Sequence, residues 1–471
     1  MFLSASAVVA ATVPLVSQAT AASAAAGGAR SRLPRQSQFD SGLQDLLSQI
    51  DPNRIQATIE QLITFGTRHT QSSQTDPVRG IGAATAWVTQ QMQAIAENAN
   101  GNMTVQQQSF VQQPVLNRIT APTTITNCIT TLQGNAKPQR FYVVTGHLDS
   151  RVTNLLDSTS DAPGADDDGS GVACVLELAR VFANSDQEFP GTIIFATVSG
   201  EEEGLFGSTF MAQQMAAAGS DVQGMFSNDI IGTGDAHDGT PPDPTTVRLF
   251  LEGIPTQTPT SGQIALMQAV GGENDGLSRQ LGRFVAEVAP FSLTGMNIRL
   301  IWRRDRYLRA SDHVSFQGQG YPAARFTEPR ENFNHEHQNT QVVNGIQLGD
   351  LIQYVDFNYV AGVTRVNAAA LWALAISPST PKNAQIHTTP PVSFAGTNLT
   401  TLTWNANPEL HLAGYEVVMR ETTDSDWTSA IPVGNVTSVT LSISKDNVQF
   451  GVRAVDQNDN RSPVAFPQAV A

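Results

Sequence analysis

Residues 141–171, FYVVTGHLDSRVTNLLDSTSDAPGADDDGSG, contain the pattern that decides the fold of this chain. The run Phe141–Thr145 is apolar and β-branched and stops at Gly146, which predicts a buried strand and its exit. His147 and Asp149 follow directly, so we expect both where the strand opens into a loop. Polar residues in that position are typical of a site at the carboxyl end of a parallel strand.

Three consecutive carboxylates, Asp166–Asp168, precede a second pattern. From Val172 to Phe182 the apolar residues recur with the spacing of one helix face, so the carboxylates lie at a helix N-terminus, which favours negative charge. Alone, the run would serve as a helix cap with solvated charge. Adjacent carboxylates repel one another, however, and the nearby His147 and Asp149 favour a divalent metal. A metal-bound imidazole normally donates its other N–H to a carboxylate, and we assign Asp149 that role.

Strand and helix patterns alternate through the middle of the chain. Further strands are predicted from residue 105 and at 192–199, 225–231, 247–252, 298–302 and 323–327. Helices are predicted at 43–50, 55–65, 81–96, 205–218, 277–288 and 350–374. This alternation predicts an α/β fold with a mostly parallel mixed sheet covered by helices on both faces.

Four polar clusters follow the ends of these strands, where open α/β sheets bind their ligands. Two zinc ions need several ligands drawn from His, Asp and Glu. The candidates are His147, Asp167, Glu202, Asp229 and one of His335 or His337. Asp167 is the carboxylate that the two ions would share. Water bridging two such ions is acidified enough to attack near neutral pH, and Glu201 stands beside Glu202 to take its proton.

Five motifs, in order GHLDS, GADDDGSG, SGEEEGLFGS, SNDIIG and SDHVSF, resemble those of the secreted co-catalytic di-zinc aminopeptidases. That family includes the glutamate carboxypeptidases and shares its fold with glutaminyl cyclases. The resemblance covers residues 40–374. It implies zinc ligation by His147, Asp229 and Glu202, a bridge by Asp167, and general-base work by Glu201.

The last zinc ligand is where the sequence departs from the family. Relatives have an aromatic residue before a His-Thr pair, whereas residues 334–340 read NHEHQNT. Anchoring on the Asn-Thr pair at 339–340 selects His335, and anchoring on the Phe-Asn pair at 333–334 selects His337. Both alternatives stay open.

Two further assignments follow from the resemblance. A family arginine near the substrate corresponds to Arg303, Arg304 or Arg306. His313, within SDHVSF, is expected to be structural or to support a ligand rather than to bind metal itself.

The ends of the chain differ from its middle. Residues 1–27 have an apolar core followed by small residues, typical of a signal peptide, and 28–39 are predicted to be flexible. The catalytic domain is predicted at 40–376 and a linker at 377–385. Residues 386–471 carry short alternating strands that resemble a fibronectin type III sandwich. We expect this module to fold independently with a modest interface and to contact a surface or polymer.

Composition narrows the partners and the compartment. The chain has 471 residues and a net charge of -15, which argues against nucleic acid or an anionic membrane as the main partner. No segment after the leader reads as a membrane span, so we expect no membrane insertion. The two cysteines, Cys128 and Cys174, are expected to be buried thiols, although one disulfide is possible.

These observations predict a secreted, periplasmic or extracellular zinc metallopeptidase with two Zn²⁺ ions and a peptide or protein substrate. An aminopeptidase that uses a metal-bridging hydroxide is the favoured reading. The alternatives are carboxypeptidase or glutaminyl cyclase activity on the same fold, and a non-catalytic binding protein. Retention of Asp167, Glu201, Glu202 and Asp229 argues against the last.

Overall fold

The computed structural model describes residues 31–32, 40–99, 101–257, 259–307, 309–387 and 399–470. The predicted signal peptide, 1–27, lies outside the described residues. The strands of the first 350 residues are β1 (Ser31–Arg32), β2 (Met103–Gln112), β3 (Thr123–Leu132), β4 (Phe141–His147), β5 (Thr192–Val198), β6 (Val222–Asn228), β7 (Thr246–Leu251), β8 (Asn297–Ile301), β9 (Ala323–Thr327), β10 (Gln341–Val343) and β11 (Ile346–Leu348). Those that follow are β12 (Gln385–His387), β13 (Thr400–Thr403), β14 (Leu412–Glu421), β15 (Ser429–Gly434), β16 (Ser438–Leu441), β17 (Val448–Asp456) and β18 (Gln468–Val470).

The α-helices in the described part of the chain all precede β12. They are α1 (Ser41–Ser48), α2 (Pro52–Ile63), α3 (Ile81–Ala96), α4 (Gly169–Ala183), α5 (Phe206–Ala217), α6 (Ser261–Ala269), α7 (Leu277–Val288), α8 (Phe291–Thr294), α9 (His313–Gln317) and α10 (Phe357–Ile376).

Eight strands form the main sheet, in the order β2-β3-β5-β4-β6-β9-β7-β8. The central strands β5, β4, β6 and β9 run parallel, and β7 and β8 are parallel to each other. The β2–β3, β3–β5 and β7–β9 pairs are antiparallel. The predicted α/β class, with a mostly parallel mixed sheet, is confirmed.

Helices cover both faces of the main sheet. Since successive side chains of a strand point to opposite faces, neighbouring residues of β4 pack against different helices. On β4, Val144 belongs to an apolar cluster with residues of α2, α4 and α10. Its neighbour Val143 belongs to a second cluster with residues of α5 and α9. Cys128 and Cys174 lie in the first cluster as buried free thiols, as expected.

The acidic turn brings α4 close against the sheet. Asp168 caps the helix by accepting the N–H of Gly171 at 2.9 Å. At Gly171 a Cβ atom would collide with the carbonyl oxygen of Asn228 in β6, so a larger residue does not fit. Nearly every residue of α4 is buried, which makes it a core helix rather than the one-sided helix that the spacing predicted.

The last helix of the catalytic region begins later than predicted. The pattern over 350–374 predicted one helix, but α10 starts at Phe357 with Asp356 as its N-cap. Contrary to our expectation, this helix is long and apolar enough to cross a membrane, yet 89% of the apolar window is buried inside the protein. Tyr359 and Asn367 of α10 hydrogen-bond to β7 and β6, so the helix belongs to the core.

The C-terminal part is a small all-β sandwich, as predicted. Its two four-stranded sheets have the orders β1-β15-β14-β17 and β16-β13-β12-β18. Leu402 of one sheet shares an apolar cluster with Val417 and Val452 of the other, so the core lies between the sheets. The described part of segment 28–39, Ser31–Arg32, pairs with β15 as an edge strand. The fibronectin type III assignment stays a prediction.

A buried polar interface joins the sandwich to the catalytic region at α7. Asp275, just before the helix, contacts Arg283 of α7 at 2.8 Å and Arg420 of β14 at 2.7 Å. Trp427 donates its indole N–H to Gln280 at 3.0 Å. All five side chains are buried. The sequence led us to expect a modest interface, whereas this one contains buried ion pairs.

The segment 377–385, predicted as a linker, is held by hydrogen bonds. Arg140 donates to the carbonyl oxygen of Ser377 at 2.5 Å. The N–H of Ser379 donates to Glu409 at 2.6 Å. The connection between the two modules is therefore tied to both of them.

Candidate metal centre

The predicted site residues gather at one edge of the main sheet, where parallel strands end. His147 is the last residue of β4 and pairs with Val198 at the end of β5. Glu202 follows β5 after a short turn, and Asp229 is the first residue after β6. His337 lies in the loop after β9. Strand endings that are far apart in sequence therefore place these side chains together.

His147, Asp167 and Asp229 form a first group of candidate ligands. The Nε2 atom of His147 lies 3.0 Å from Asp167 Oδ1 and 3.8 Å from Asp229 Oδ1. One ligand atom from each residue lies within 4.8 Å of the others, and all three residues are buried. Arg325, also buried, contacts Asp229 at 2.8 Å and orients its carboxylate.

Asp167, Glu202 and His337 form a second group. The Nε2 atom of His337 lies 2.7 Å from Asp167 Oδ2 and 3.1 Å from Glu202 Oε2. These ligand atoms also lie within 4.8 Å of one another. The two groups therefore share Asp167, with one carboxylate oxygen directed at each histidine.

His335 joins neither group. Its ring stacks on Tyr354 with centroids 3.6 Å apart, and His237 lies 5.3 Å away. Burial, together with His237, lowers the pKa of His335 to about 4. Of the two alternatives left open by the sequence, His337 is the residue that the fold brings to the candidate ligands.

The Asp149 carboxylate hydrogen-bonds to the loop after β5 rather than to the ring of His147. The Nδ1 atom of His147 lies 3.0 Å from the main-chain oxygen of Asp149, which can only accept, so Nδ1 is the donor. The Asp149 carboxylate is 3.9 Å from that nitrogen and instead accepts the N–H groups of Glu201 and Glu202. The main-chain oxygen thus takes the contact that we predicted for the carboxylate.

The three consecutive aspartates point in different directions. Asp166 accepts from Ser170 at 3.0 Å, and burial raises its pKa to about 7. Asp167 faces the two histidines, and its N–H donates to Asp350 at 2.7 Å. Asp168 accepts the N–H of His147 at 2.8 Å. Of the three, Asp167 alone belongs to the ligand groups. The mutual repulsion inferred from the sequence is reduced because each carboxylate faces different partners.

Electrostatics favour positive charge at the centre of the cluster. Burial by itself lowers the pKa of His147, but neighbouring carboxylates, above all that of Asp168, hold it well above its ordinary value. Burial by itself raises the pKa of Asp167, but His337 and His147 hold it well below its ordinary value. The carboxylates thus supply an excess of negative charge around the two imidazoles, which a bound dication would offset in place of the imidazole protons.

Glu201 stands beside the two groups and belongs to neither. Its side chain lines the cavity with His147 and Asp229. Burial, reinforced by Asp229 and Glu202, raises the pKa of Glu201 well above its ordinary value. A carboxylate with a raised pKa that borders the ligands without joining them has the properties of a general base.

The residues fit a pair of zinc ions. Two imidazoles and three carboxylates are ligand types that Zn²⁺ binds. In the described part of the chain, the buried Oε1 atom of Glu202 has no hydrogen-bond partner. A buried polar atom left in this state costs about 1–3 kcal/mol, and a bound cation would remove that cost.

Comparison with known proteins gives the family. The model of peptidase family M28 matches residues 127–356. A probable zinc metalloprotease of Leptosphaeria maculans is 45% identical over 425 residues, covering 90% of this chain and 96% of that protein. A probable zinc metalloprotease of Pyricularia oryzae is 46% identical over 430 residues, covering 91% and 84%.

The chain belongs to peptidase family M28. It is a zinc metallopeptidase, as the sequence predicted. Two solved structures share the fold of this M28 peptidase: LapB of Legionella pneumophila, at 20% identity, and the LapA aminopeptidase of the same organism, at 19%. Both have a TM-score of 0.52 and are matched over 74% of this chain, with 79% and 78% of their own lengths covered.

A cavity of about 270 Å³ lies over the candidate ligands of this M28 peptidase. Sequence reasoning missed most of its basic lining, which consists of Arg118, Arg151, Arg306 and Arg309. Of the three arginines proposed from the resemblance, only Arg306 lines the cavity. Arg303 packs over Tyr307 instead.

His313 has a structural position in this M28 peptidase. Its Nε2 atom lies 2.9 Å from the carbonyl oxygen of Arg304, and the ring is buried. It belongs to neither group of candidate ligands in the described part of the chain. This agrees with the expectation that it supports the site rather than binds metal.

Proposed function

We propose that this M28 peptidase is a secreted aminopeptidase that binds two zinc ions. The observation that carries the proposal is the pair of three-residue groups that share Asp167, with Glu201 beside them. The proposed ligands are His147, Asp167 and Asp229 for one ion and Asp167, Glu202 and His337 for the other. The apolar leader in residues 1–27 supports secretion.

The proposed chemistry divides between the ions and Glu201. When bound, zinc would polarise the scissile carbonyl and lower the pKa of the attacking water. Glu201 accepts the proton of that water and returns it to the departing amine. Burial raises the pKa of Glu201, which makes its carboxylate a stronger proton acceptor than an exposed glutamate.

The size of the cavity supports removal of terminal residues. At about 270 Å³ it is smaller than most sites for drug-sized ligands. Such a space suits one terminal residue at the sheet edge better than the middle of a polypeptide. The apolar part of its lining is small and consists of Leu205, Ile230 and Ala310, with Gly204.

A substrate panel tests the assignment. The purified protein is given neutral aminoacyl peptides with a free amino terminus, the same peptides with an acetylated amino terminus, and peptides that begin with glutamine. Cleavage of the free form alone supports an aminopeptidase. Cleavage of blocked peptides from the carboxyl end, or cyclisation of glutamine without hydrolysis, would replace it with one of the alternative activities.

Zinc content should be about two ions per chain, because two complete ligand groups are present. Elemental analysis of protein purified without chelator measures this number. A chelator should remove hydrolysis, and added zinc should restore it. Protein that hydrolyses peptides at full rate with no transition metal bound would contradict the proposal.

Replacing His337 with alanine should lower the zinc content from about two ions to about one, because one ligand group loses its imidazole. His335→Ala is the matched control, two residues away, and should leave zinc content unchanged because its ring stacks on Tyr354. The comparison is made by elemental analysis after dialysis against the same low zinc concentration. Equal retention in both variants would place the last ligand elsewhere.

A further inference from the structure

The arginines of the cavity divide into two pairs by their partners. Arg306 contacts Glu331, and Arg309 lies 3.2 Å from the same carboxylate. Arg309 also contacts Glu336. These two guanidinium groups are therefore neutralised by carboxylates on the loop after β9.

The other pair, Arg118 and Arg151, converges on Glu202. Arg118 donates to the main-chain oxygen of Glu202 at 3.3 Å. Arg151 donates through Nε to the Glu202 carboxylate at 2.8 Å and through Nη2 to His337 Nδ1 at 2.6 Å. Arg118 is exposed, and in the described part of the chain it has no carboxylate within 4.0 Å. Among the described residues, Arg118 therefore lies beside the candidate ligands without a carboxylate of its own, whereas Arg151 shares the carboxylate of Glu202 with them.

Arg151 lines the cavity together with Arg118. Its carboxylate partner, Glu202, is also a candidate ligand of the second group, so a bound dication would compete with Arg151 for the negative charge of Glu202. The guanidinium of Arg151 would then be less fully neutralised.

The net charge of the cavity lining also favours an anionic substrate once metal is bound. Four arginines and five carboxylates, Asp167, Glu201, Glu202, Asp229 and Glu336, line the cavity. In the absence of metal, the four positive and five negative charges almost cancel. Two dications reverse the sign, and the loaded cavity then favours an anionic group on the substrate.

We propose that Arg118 and Arg151 bind a carboxylate of the substrate close to the scissile bond. The proposal rests on the proposed function, because it places the substrate at the Glu202 side of the metal centre. Guanidinium groups bind carboxylates through charge-assisted hydrogen bonds, and two that converge can share one carboxylate. The carboxylate belongs either to an acidic side chain at the amino terminus or to the carboxyl terminus of a very short peptide.

Four peptides distinguish these two sources. Glu-Ala-amide carries only the side-chain carboxylate, and Ala-Ala carries only the terminal one. Gln-Ala-amide and Ala-Ala-amide are their neutral counterparts. The value of kcat/KM is measured for zinc-loaded wild type, Arg118→Gln, Arg118→Lys and Arg54→Gln, a control on the exposed face of α2.

Wild type should cleave at least one acidic peptide about 10-fold better than its neutral counterpart, since a charged hydrogen bond is at stake. Arg118→Gln should remove most of that preference, so that kcat/KM becomes nearly the same for the acidic and the neutral member of each pair. Arg118→Lys should keep part of it, and Arg54→Gln all of it. The preferred member of the panel identifies the source of the carboxylate.

Binding is measured separately in the zinc-loaded Glu201→Gln variant, by calorimetry with the same four peptides. Tighter binding of an acidic peptide that is lost on adding Arg118→Gln supports the proposal, even if no peptide is hydrolysed. Equal affinity for acidic and neutral peptides overturns it. If wild type hydrolyses none of the panel while acidic peptides still bind through Arg118, the proposed aminopeptidase function fails and the carboxylate site stands.

Discussion

Glu201→Gln should lower the turnover number by roughly 10²–10⁴-fold and leave zinc content close to that of wild type. Glutamine keeps the size and shape of the side chain but cannot accept a proton. Glu201 lines the cavity without belonging to either ligand group, so its replacement should not release metal. Steady-state kinetics on a free aminoacyl peptide and elemental analysis of the same preparation measure both quantities.

The next two residues provide controls within one turn of chain. Glu202→Gln should lower zinc content, because this carboxylate lies 3.1 Å from His337 in the second ligand group. Glu203 contacts His69 at 3.1 Å and accepts from Thr70, away from the ligands. Glu203→Gln should therefore affect stability more than metal binding. Loss of zinc in Glu201→Gln with full zinc in Glu202→Gln would show that the assignment is wrong by one residue.

The sequence could predict which side chains meet at the candidate site because strand endings follow simple rules. A buried apolar run that stops at a polar residue identifies both the strand and the place where it opens. Since parallel strands open at the same edge, His147, Asp229 and the glutamates after β5 could be placed together. Their separations in sequence carried no such information.

The last ligand could not be chosen from the sequence because the loop after β9 is irregular. The backbone turns at His337, where φ is 55°, and its ring contacts Asp167 and Glu202 while that of His335 stacks on Tyr354. No periodic pattern predicts such a turn in the run NHEHQNT. Two histidines separated by one residue then differ completely in environment, one at the ligands and one stacked on Tyr354.

The basic lining was missed for a similar reason. Arg118 lies between β2 and β3, and Arg151 lies after β4. Arg306 and Arg309 lie between β8 and α9. These loops have no common motif, and only the folded chain brings their side chains to one cavity. A family resemblance suggested one arginine, whereas the cavity has four.

The interface between the modules was also beyond the sequence. Asp275 and Arg420 are 145 residues apart, yet their side chains form a buried ion pair at 2.7 Å. The segment 377–385 was interpreted as a linker from its proline, serine and asparagine content, because composition does not report the hydrogen bonds that hold it. A chain ending near Ser379 would leave Asp275 and Arg283 without the sandwich, so we expect it to be less stable than independent modules would be.

Asp275→Ala should destabilise the protein by about 3–5 kcal/mol, because it leaves two buried guanidinium groups without their carboxylate. Arg283 and Arg420 are only 5% and 6% exposed, so water cannot replace the lost partner. The midpoint of urea unfolding, followed by tryptophan fluorescence, should fall accordingly. Zinc content measured before denaturant is added should stay the same, since the ligands lie at the other end of the main sheet's strands.

Asp161→Ala is the matched control for this change. Asp161 pairs with Arg79 at 2.7 Å, the same distance as the Asp275–Arg420 pair, but its side chain is 69% exposed. An exposed pair contributes about 0–1 kcal/mol, so the unfolding midpoint should hardly move. The double change Asp275→Ala with Arg420→Met should lower the free energy of unfolding by less than the sum of the two single changes. Both single changes remove the same ion pair, so its loss is counted twice in that sum. Equal, small effects of Asp275→Ala and Asp161→Ala would show that the sandwich is not held by this buried pair, and would restore the expectation of independently folded modules.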